Sequence, residues 1–165
     1  MNSRDDPNLL YNRFPCLNSL DGLFSDREAD RFEVLDTLLE LLVRDSGAER
    51  GTIFLVDRES HEIFSAATRG RELEGLSLPM GKGVAGRTAR TGEITILDNA
   101  YSSPHFDPQI DELTGYKTEN LLTAPVGRNP VMAVIQLLNK PGGFAKNDAD
   151  FVGIVADRLS EFLQS

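Results

Sequence analysis

The sequence contains a single cysteine, Cys16, and only two histidines in 165 residues. One cysteine cannot form a disulfide within the chain, and it cannot supply a thiolate metal site or a two-cysteine redox centre. With His61 and His105 as the only imidazoles, we expect no zinc site built by the protein itself. The absence of disulfides is typical of a reducing compartment, so we expect a cytoplasmic protein.

Long apolar runs and basic stretches are also missing. No run approaches the roughly 18 residues of a membrane span, and residues 1–6 lack the basic region and apolar core of a signal peptide. The formal net charge is −9 and the acidic residues are spread along the chain. Because a nucleic-acid interface needs a basic face, we expect neither a nucleic-acid nor a membrane partner.

Helical periodicity marks both ends of the main domain. Residues 1–24 mix polar and apolar types, and we interpret them as a partly disordered lead-in to a domain at residues 25–165. Ser25-Asp26-Arg27-Glu28 matches a capping box and predicts a helix that starts there and stops at Ser46-Gly47. Apolar residues recur along it at helical spacing: Phe32, Leu35, Leu38, Leu39, Leu42 and Val43. A last helix is predicted from about Asn147 by Phe151, Ile154, Val155, Leu159 and Phe162.

The residues between these helices predict strands joined mostly by short turns. Six strands are expected, at residues 52–56, 62–68, 75–78, 93–97, 120–126 and 131–138, with a short helix at 83–89. Residues 98–119 form a loop long enough to be a functional lid, with a helical turn at 108–113. We therefore predict an α/β (α+β) fold: a six-stranded, mostly antiparallel sheet with the terminal helices on one face and a ligand pocket under the lid on the other.

The polar features of residues 81–140 indicate binding of a small anion. Three glycines occur at residues 81–86, at the start of the short helix, and bare N–H groups at a helix N-terminus attract anions. Gln136 interrupts an apolar strand, and a buried amide needs a partner, which is either the lid or a ligand. We find no nucleophile–base pair, so no catalytic residue is expected.

The acidic residues of the loop are interpreted as solvated, so we expect no metal site there. They are Asp98, Asp107, Asp111 and Glu112.

Several motifs resemble those of GAF domains, in the same order along the chain. They lie at residues 81–92, 97–101, 114–118 and 134–140, and the resemblance covers about residues 26–164. The sequence is most similar to the cyclic-nucleotide-binding GAF domains of phosphodiesterases and bacterial adenylate cyclases. Their Asn-Lys…Phe…Asp-Glu signature is matched by Asn139-Lys140, Phe144 and Asp148, with Ala149 in place of the glutamate. The resemblance implies that Lys140 and Asp148 pair as a latch for the lid.

The same resemblance implies a set of ligand contacts. Arg50 and Thr52 match an Arg-x-Thr that reads the purine, and the phosphate would lie on the amides of Gly83, Val84 and Ala85. Thr114 and Thr118 would reach the ribose phosphate, and Gln136 would face the ligand. Thr68 stands near the position at which phosphodiesterase-type domains place an aromatic stacker, so the base would be read by Arg50.

We therefore expect a regulatory sensor domain rather than an enzyme, with any catalysis in a separate domain or partner. The expected ligand is a cyclic nucleotide, cAMP before cGMP, and no covalent cofactor is expected. A bilin would need a cysteine near the pocket, whereas Cys16 lies in the lead-in. The terminal helices are expected to form a homodimer bundle that passes the signal on.

The alternative is a ligand-free GAF module that serves as a dimerisation or protein-interaction scaffold. A space between Arg50, Ala85, Thr118 and Gln136 would favour the sensor. A core filled with side chains at that place would favour the scaffold.

Overall fold

The structure, a computed structural model, describes residues 7–70 and 75–164. Its helices are α1 (Pro7–Arg13), α2 (Leu20–Ser25), α3 (Arg31–Ser46), α4 (Gly83–Thr91), α5 (Gln109–Thr114) and α6 (Lys146–Gln164), with 3-10 turns at Pro15–Ser19 and Ala100–Ser102. Its strands are β1 (Arg50–Asp57), β2 (Glu62–Arg69), β3 (Ser77–Pro79), β4 (Thr95–Leu97), β5 (Leu121–Val126) and β6 (Ala133–Leu138).

The six strands form one sheet in the order β3-β2-β1-β6-β5-β4, and every neighbouring pair is antiparallel. The predicted fold class is therefore confirmed. The strand limits differ from the expected ones by at most about two residues, with β4 starting at Thr95 instead of residue 93. Short turns join β1 to β2 and β5 to β6, and such turns connect antiparallel neighbours.

Alternation along the strands gives the sheet two different faces. Ile53 and Ile135 point to the face covered by α3 and α6, where they join the main core. Phe54 and Val134 point to the opposite face and pack on α4. The terminal helices thus cover one face, as predicted, and leave the other to α4 and the lid (residues 98–119).

The start of α3 differs from the prediction. Ser25 ends α2, and its hydroxyl donates to the Gly22 carbonyl at 2.9 Å instead of forming a capping box. The cap of α3 is Asp30, whose carboxylate accepts the Phe32 N–H at 2.8 Å. Both residues satisfy the local cap preference, so packing of the preceding helix decides between them. Phe32, expected on the apolar stripe, is 53% exposed.

The residues that precede α3 pack on the same core. The ring of Phe14 stacks on Phe151 of α6 with centroids 4.2 Å apart, and Phe24 stacks on Phe162 at 5.2 Å. Residues 1–6 lie outside the described residues, so the disorder expected there stays a prediction. Within residues 7–70 and 75–164, no helix has both the length and the apolar character that crossing a bilayer requires.

Candidate functional site

A cavity lies between the N-terminus of α4, the lid and the α4-facing side of the sheet. It is ≈60 Å³ in volume, and its walls include Arg50 of β1, Ala85 of α4, Thr118 of the lid and Gln136 of β6. A buried water needs roughly 10–15 Å³, so the cavity has room for only a few water molecules.

Glycines shape the wall that α4 contributes. Gly83 has φ +70°, a left-handed conformation that favours glycine. The Gly81 N–H donates to the Gly86 carbonyl at 2.8 Å, and a Cβ on Gly86 would stand 2.7 Å from the Pro79 carbonyl oxygen. The loop at residues 79–82 therefore packs directly on α4. The first turn of this helix, with Gly83, Val84 and Ala85, borders the cavity. The N–H groups of this first turn have no hydrogen-bond partner within the helix, so they give this wall of the cavity a partial positive charge.

The lid is organised around one buried carboxylate, Asp111, which is 8% exposed. It accepts hydrogen bonds from the Thr118 N–H at 2.7 Å, the Thr118 hydroxyl at 2.9 Å and the Tyr101 hydroxyl at 2.7 Å. The interpretation of Asp111 as a solvated loop acid is therefore wrong. Local sequence did not reveal this, because the partners of the carboxylate lie seven and ten residues away.

A lysine ties the lid to the start of α4. Lys82, the residue that precedes this helix, donates from Nζ to the Gln109 amide oxygen at 2.9 Å and lies 3.7 Å from the Asp107 carboxylate. Lys82 and Asp107 also border the cavity. Lys82 is therefore a cation of the cavity wall that is already shared with lid residues.

Tyr116 is an aromatic wall of the cavity that sequence reasoning missed. The Arg50 guanidinium lies 3.8 Å from the centroid of its ring, a cation–π contact. Its phenolic oxygen accepts from Asn139 Nδ2 at 2.7 Å. Burial, followed by the charge of Glu49, raises the Tyr116 pKa to about 12, although Arg50 and Asn139 act in the opposite direction. The signal available in the sequence was the position of Tyr116 between the two lid threonines.

Comparison with known proteins defines the family. The family model for the GAF domain matches residues 28–164, which is most of the chain. The chain belongs to the GAF domain family. The predicted resemblance is thus confirmed, and with it a regulatory, sensor-type domain.

A curated relative of this GAF domain comes from Caenorhabditis elegans. It is named probable 3',5'-cyclic phosphodiesterase pde-5 and is 36% identical over an alignment of 123 residues that covers 66% of this chain. The chain matches only 17% of that relative's length.

Solved structures show the same fold. A GAF domain of A. aeolicus nlh2 superposes with a TM-score of 0.78 at 19% identity, covering 94% of this chain and 98% of the other. Free methionine-R-sulfoxide reductase from Neisseria meningitidis superposes with a TM-score of 0.79 at 20% identity, covering 97% of this chain and 92% of the other. At such identities the likeness extends to the fold alone.

The structure brings most of the predicted ligand-binding residues of the GAF domain to one cavity. Seven of them border it: Arg50, Gly83, Val84, Ala85, Thr114, Thr118 and Gln136. Thr52 and Thr68 are paired with each other across β1 and β2 and lie outside the described cavity wall. The hydroxyl of Thr114 donates to the Ile110 carbonyl at 2.8 Å.

Gln136 has a protein partner on the neighbouring strand. Its Nε2 donates to the Thr123 hydroxyl at 3.2 Å, and the two residues face each other in the β5–β6 register. The sequence left open whether this amide bonds to the lid or contacts a ligand. The structure shows a bond to Thr123 of β5 instead of a bond to the lid. Gln136 also borders the cavity, so its contact with a ligand stays a prediction.

The expected latch pair forms an ion pair next to the start of α6. Lys140 Nζ lies 2.6 Å from Asp148 Oδ1, and Asp148 is fully buried. Its second oxygen accepts the Ala145 N–H at 2.8 Å, so this pair fixes the linker to the first turn of α6. Its role as a lid latch stays a prediction.

Asn139 contacts the lid directly. Besides its bond to Tyr116, its Nδ2 donates to the Lys117 carbonyl at 2.8 Å, and its Oδ1 accepts the Glu119 N–H at 2.7 Å. The C-terminal end of the lid is therefore held to β6 by this side chain.

Cys16 lies in the helix-side core and not at the cavity. Burial, then the hydrogen bond and charge of Asp45, raise the pKa of its thiol from 9.0 to about 12. Such a thiol is protonated at neutral pH and unreactive. Across the described ranges, no cluster of three or more His, Cys, Asp and Glu side chains is placed to hold a metal ion.

Proposed function

We propose that this GAF domain is a small-molecule sensor whose ligand is a cyclic nucleotide, cAMP before cGMP. The observation that carries the proposal is the cavity between Arg50, Ala85, Thr118 and Gln136. These residues come from β1, α4, the lid and β6, and a space at their meeting point is what distinguishes a sensor from a filled scaffold core.

The chemistry of the cavity walls suits a phosphate joined to a flat base. The first-turn amides of α4 favour an anion, and Lys82 adds a positive charge beside them. On the opposite side, Arg50 and Tyr116 form a stacked pair, and planar guanidinium and phenol groups both pack well on a purine. The aliphatic walls Leu76 and Leu138 would cover the sugar and base edges.

Binding requires the lid to move. Pockets for ligands of this size measure about 300–1,000 Å³, whereas this cavity measures ≈60 Å³. Opening would break the Lys82–Gln109 bond and separate Tyr116 from Arg50. Closure over a ligand would then order the lid around it, which links occupancy to a conformational change.

The name of the C. elegans relative, a probable 3',5'-cyclic phosphodiesterase, supports this ligand class. We further propose that the domain regulates and does not catalyse, that it is cytoplasmic, and that α3 and α6 form a homodimer bundle that carries the signal. The exposed ring of Phe32 on α3 supports such a helical contact.

The alternative proposal is a ligand-free scaffold module. It is favoured by the small volume of the closed cavity and by the hydrogen bonds from Asn139 that hold the lid to the end of β6. A scaffold would leave the cavity empty at every nucleotide concentration.

Thermal denaturation with added nucleotides tests the proposal. A ligand at about one hundred times its Kd stabilises the native state by about 2.7 kcal/mol, so we expect a higher Tm with cAMP and a smaller rise with cGMP. Arg50→Gln should reduce the rise, whereas Arg27→Gln, an exposed arginine outside the cavity wall, should preserve it. No rise with either nucleotide at millimolar concentration would overturn the sensor proposal in favour of the scaffold.

A further inference from the structure

A groove with many arginines lies at the other end of α4. It is ≈700 Å³ in volume and open to solvent, and it is lined by the end of β1, the β1–β2 turn, the C-terminal end of α4 and the β5–β6 turn. It shares no lining residue with the cavity described above. We call it the arginine groove, after Arg58, Arg90 and Arg128.

The charge of the arginine groove contrasts with that of the whole protein. Of the residues that the structure describes, three arginines and His61 line it together with no acidic residue, although the chain carries a net charge of −9. The described acidic side chains therefore lie outside the lining of this groove. Such local segregation of charge attracts anionic partners.

The three arginines also lack the partners that other basic residues have. Arg69, Arg87 and Arg158 each pair with a carboxylate. Within residues 7–70 and 75–164, neither Arg58, Arg90 nor Arg128 pairs with a carboxylate. All three are exposed, so their guanidinium groups are available to a ligand.

The backbone makes room for one of these side chains. Gly81 has φ +88°, and a Cβ on it would stand 2.7 Å from Nη1 of Arg90. The Arg90 guanidinium therefore packs closely against Gly81, and Arg90 and Met80 both line the groove. A side chain at position 81 would displace it.

We propose that the arginine groove binds an acidic peptide segment of a partner protein, with an apolar side chain among its carboxylates. Guanidinium groups form bidentate bonds with carboxylates. The groove measures ≈700 Å³ and is open to solvent, so it suits a peptide segment better than a single phosphate. Between them the floor is apolar, with Val56, Met80 and Val131, and it offers a place for the apolar side chain.

Fluorescence anisotropy with a labelled synthetic peptide of glutamate and leucine residues tests the proposal. The wild-type protein should bind it saturably, and binding should weaken as salt is raised. The variant Arg58→Gln/Arg90→Gln/Arg128→Gln should bind about tenfold more weakly or worse. The matched control removes three positive charges from exposed positions outside the groove: Arg27→Gln, Lys117→Gln and Lys146→Gln. Its affinity should stay within about twofold of wild type, and the two variants should have similar Tm values.

Several results would overturn the proposal. They are the absence of saturable binding by wild type, an equal loss in both triple variants, and equal binding of a peptide with glutamine in place of glutamate. Displacement by tripolyphosphate or by a single-stranded oligonucleotide at lower concentration than by unlabelled peptide would assign the groove to another kind of anion. A dimer that dissociates only in the groove variant would assign it to a second copy of the chain.

Discussion

The carboxylate of Asp111 binds both hydrogen-bond donors of Thr118, accepting the backbone N–H on one oxygen at 2.7 Å and the hydroxyl on the other at 2.9 Å. The same carboxylate accepts the Tyr101 hydroxyl, and this hydrogen bond is the main reason why the Tyr101 pKa rises to about 12. The conformation of the lid of this GAF domain is therefore held from within by its own carboxylate. A ligand that uses the Thr118 hydroxyl as a donor must compete with Asp111 for it.

Replacing Asp111 should loosen the lid. Asp111→Ala removes three charge-assisted hydrogen bonds from a buried site, so we expect the free energy of unfolding to fall by about 2–4 kcal/mol. Hydrogen exchange should accelerate in residues 109–118. Urea denaturation and exchange mass spectrometry measure these effects. The control is Glu112→Ala, an exposed neighbour whose replacement should change stability by less than about 0.5 kcal/mol. Unchanged exchange in Asp111→Ala would show that the lid is held by other contacts.

Asn139 should contribute to the stability of the protein through both its side-chain hydrogen bonds and its backbone conformation. It has φ +59° and bonds to Tyr116, Lys117, Glu119 and Asn120. Asn139→Gly keeps the left-handed backbone and loses these bonds, so we expect a loss of about 2–3 kcal/mol. Asn139→Ala should cost about 1 kcal/mol more, because alanine is strained at this φ. Chemical denaturation of the two variants separates the effects. Equal losses would show that the backbone conformation adds nothing.

Two glycine-to-alanine changes should act in opposite directions. A Cβ at Gly86 would lie 2.7 Å from the Pro79 carbonyl oxygen, so Gly86→Ala should destabilise the protein by about 1–3 kcal/mol and shift the start of α4. Gly153 lies inside α6 with no other atom within 4 Å of an added Cβ. There the same change should stabilise by about 0.5–1 kcal/mol, because alanine favours helix. Thermal and urea unfolding of the two variants provide the comparison. A stable Gly86→Ala variant would contradict the tight contact between the loop and α4.

Stability should decline above pH 9 because of Cys16. Its thiol pKa is raised from 9.0 to about 12 in the folded protein, so between these values the unfolded state binds fewer protons than the native state. The free energy of unfolding then falls as pH rises, by at most about 1.4 kcal/mol per pH unit for this group, and the contribution is fully present below pH 9. Urea midpoints at pH 8 and pH 10.5 should therefore differ more in wild type than in Cys16→Ala. An identical pH dependence in the two proteins would exclude this role for the thiol, and native Cys16 should resist thiol reagents at pH 8.

Local sequence patterns were sufficient to predict most elements of the fold. The helical stripe that ends in Phe162 predicted α6, and the apolar residues of 131–138 predicted β6, because burial on one or both faces fixes which positions must be apolar. The short turns predicted an antiparallel sheet. The sequence did not decide between Ser25 and Asp30 as the cap of α3, since both satisfy the same local rule.

The candidate site, like the fold, could be predicted only in part from the sequence. The sequence by itself determined the glycine-rich start of α4, because a left-handed Gly83 and a close-packed Gly86 restrict the residue type at those positions. Only the tertiary structure decided that Asp111 is buried within the lid, that Arg50 stacks on Tyr116, and that Gln136 bonds to Thr123. These contacts join residues that are distant in the chain, so their partners depend on strand register and on how the lid folds back. Neither the strand register nor the path of the lid produces a recognisable pattern among residues that are adjacent in the sequence.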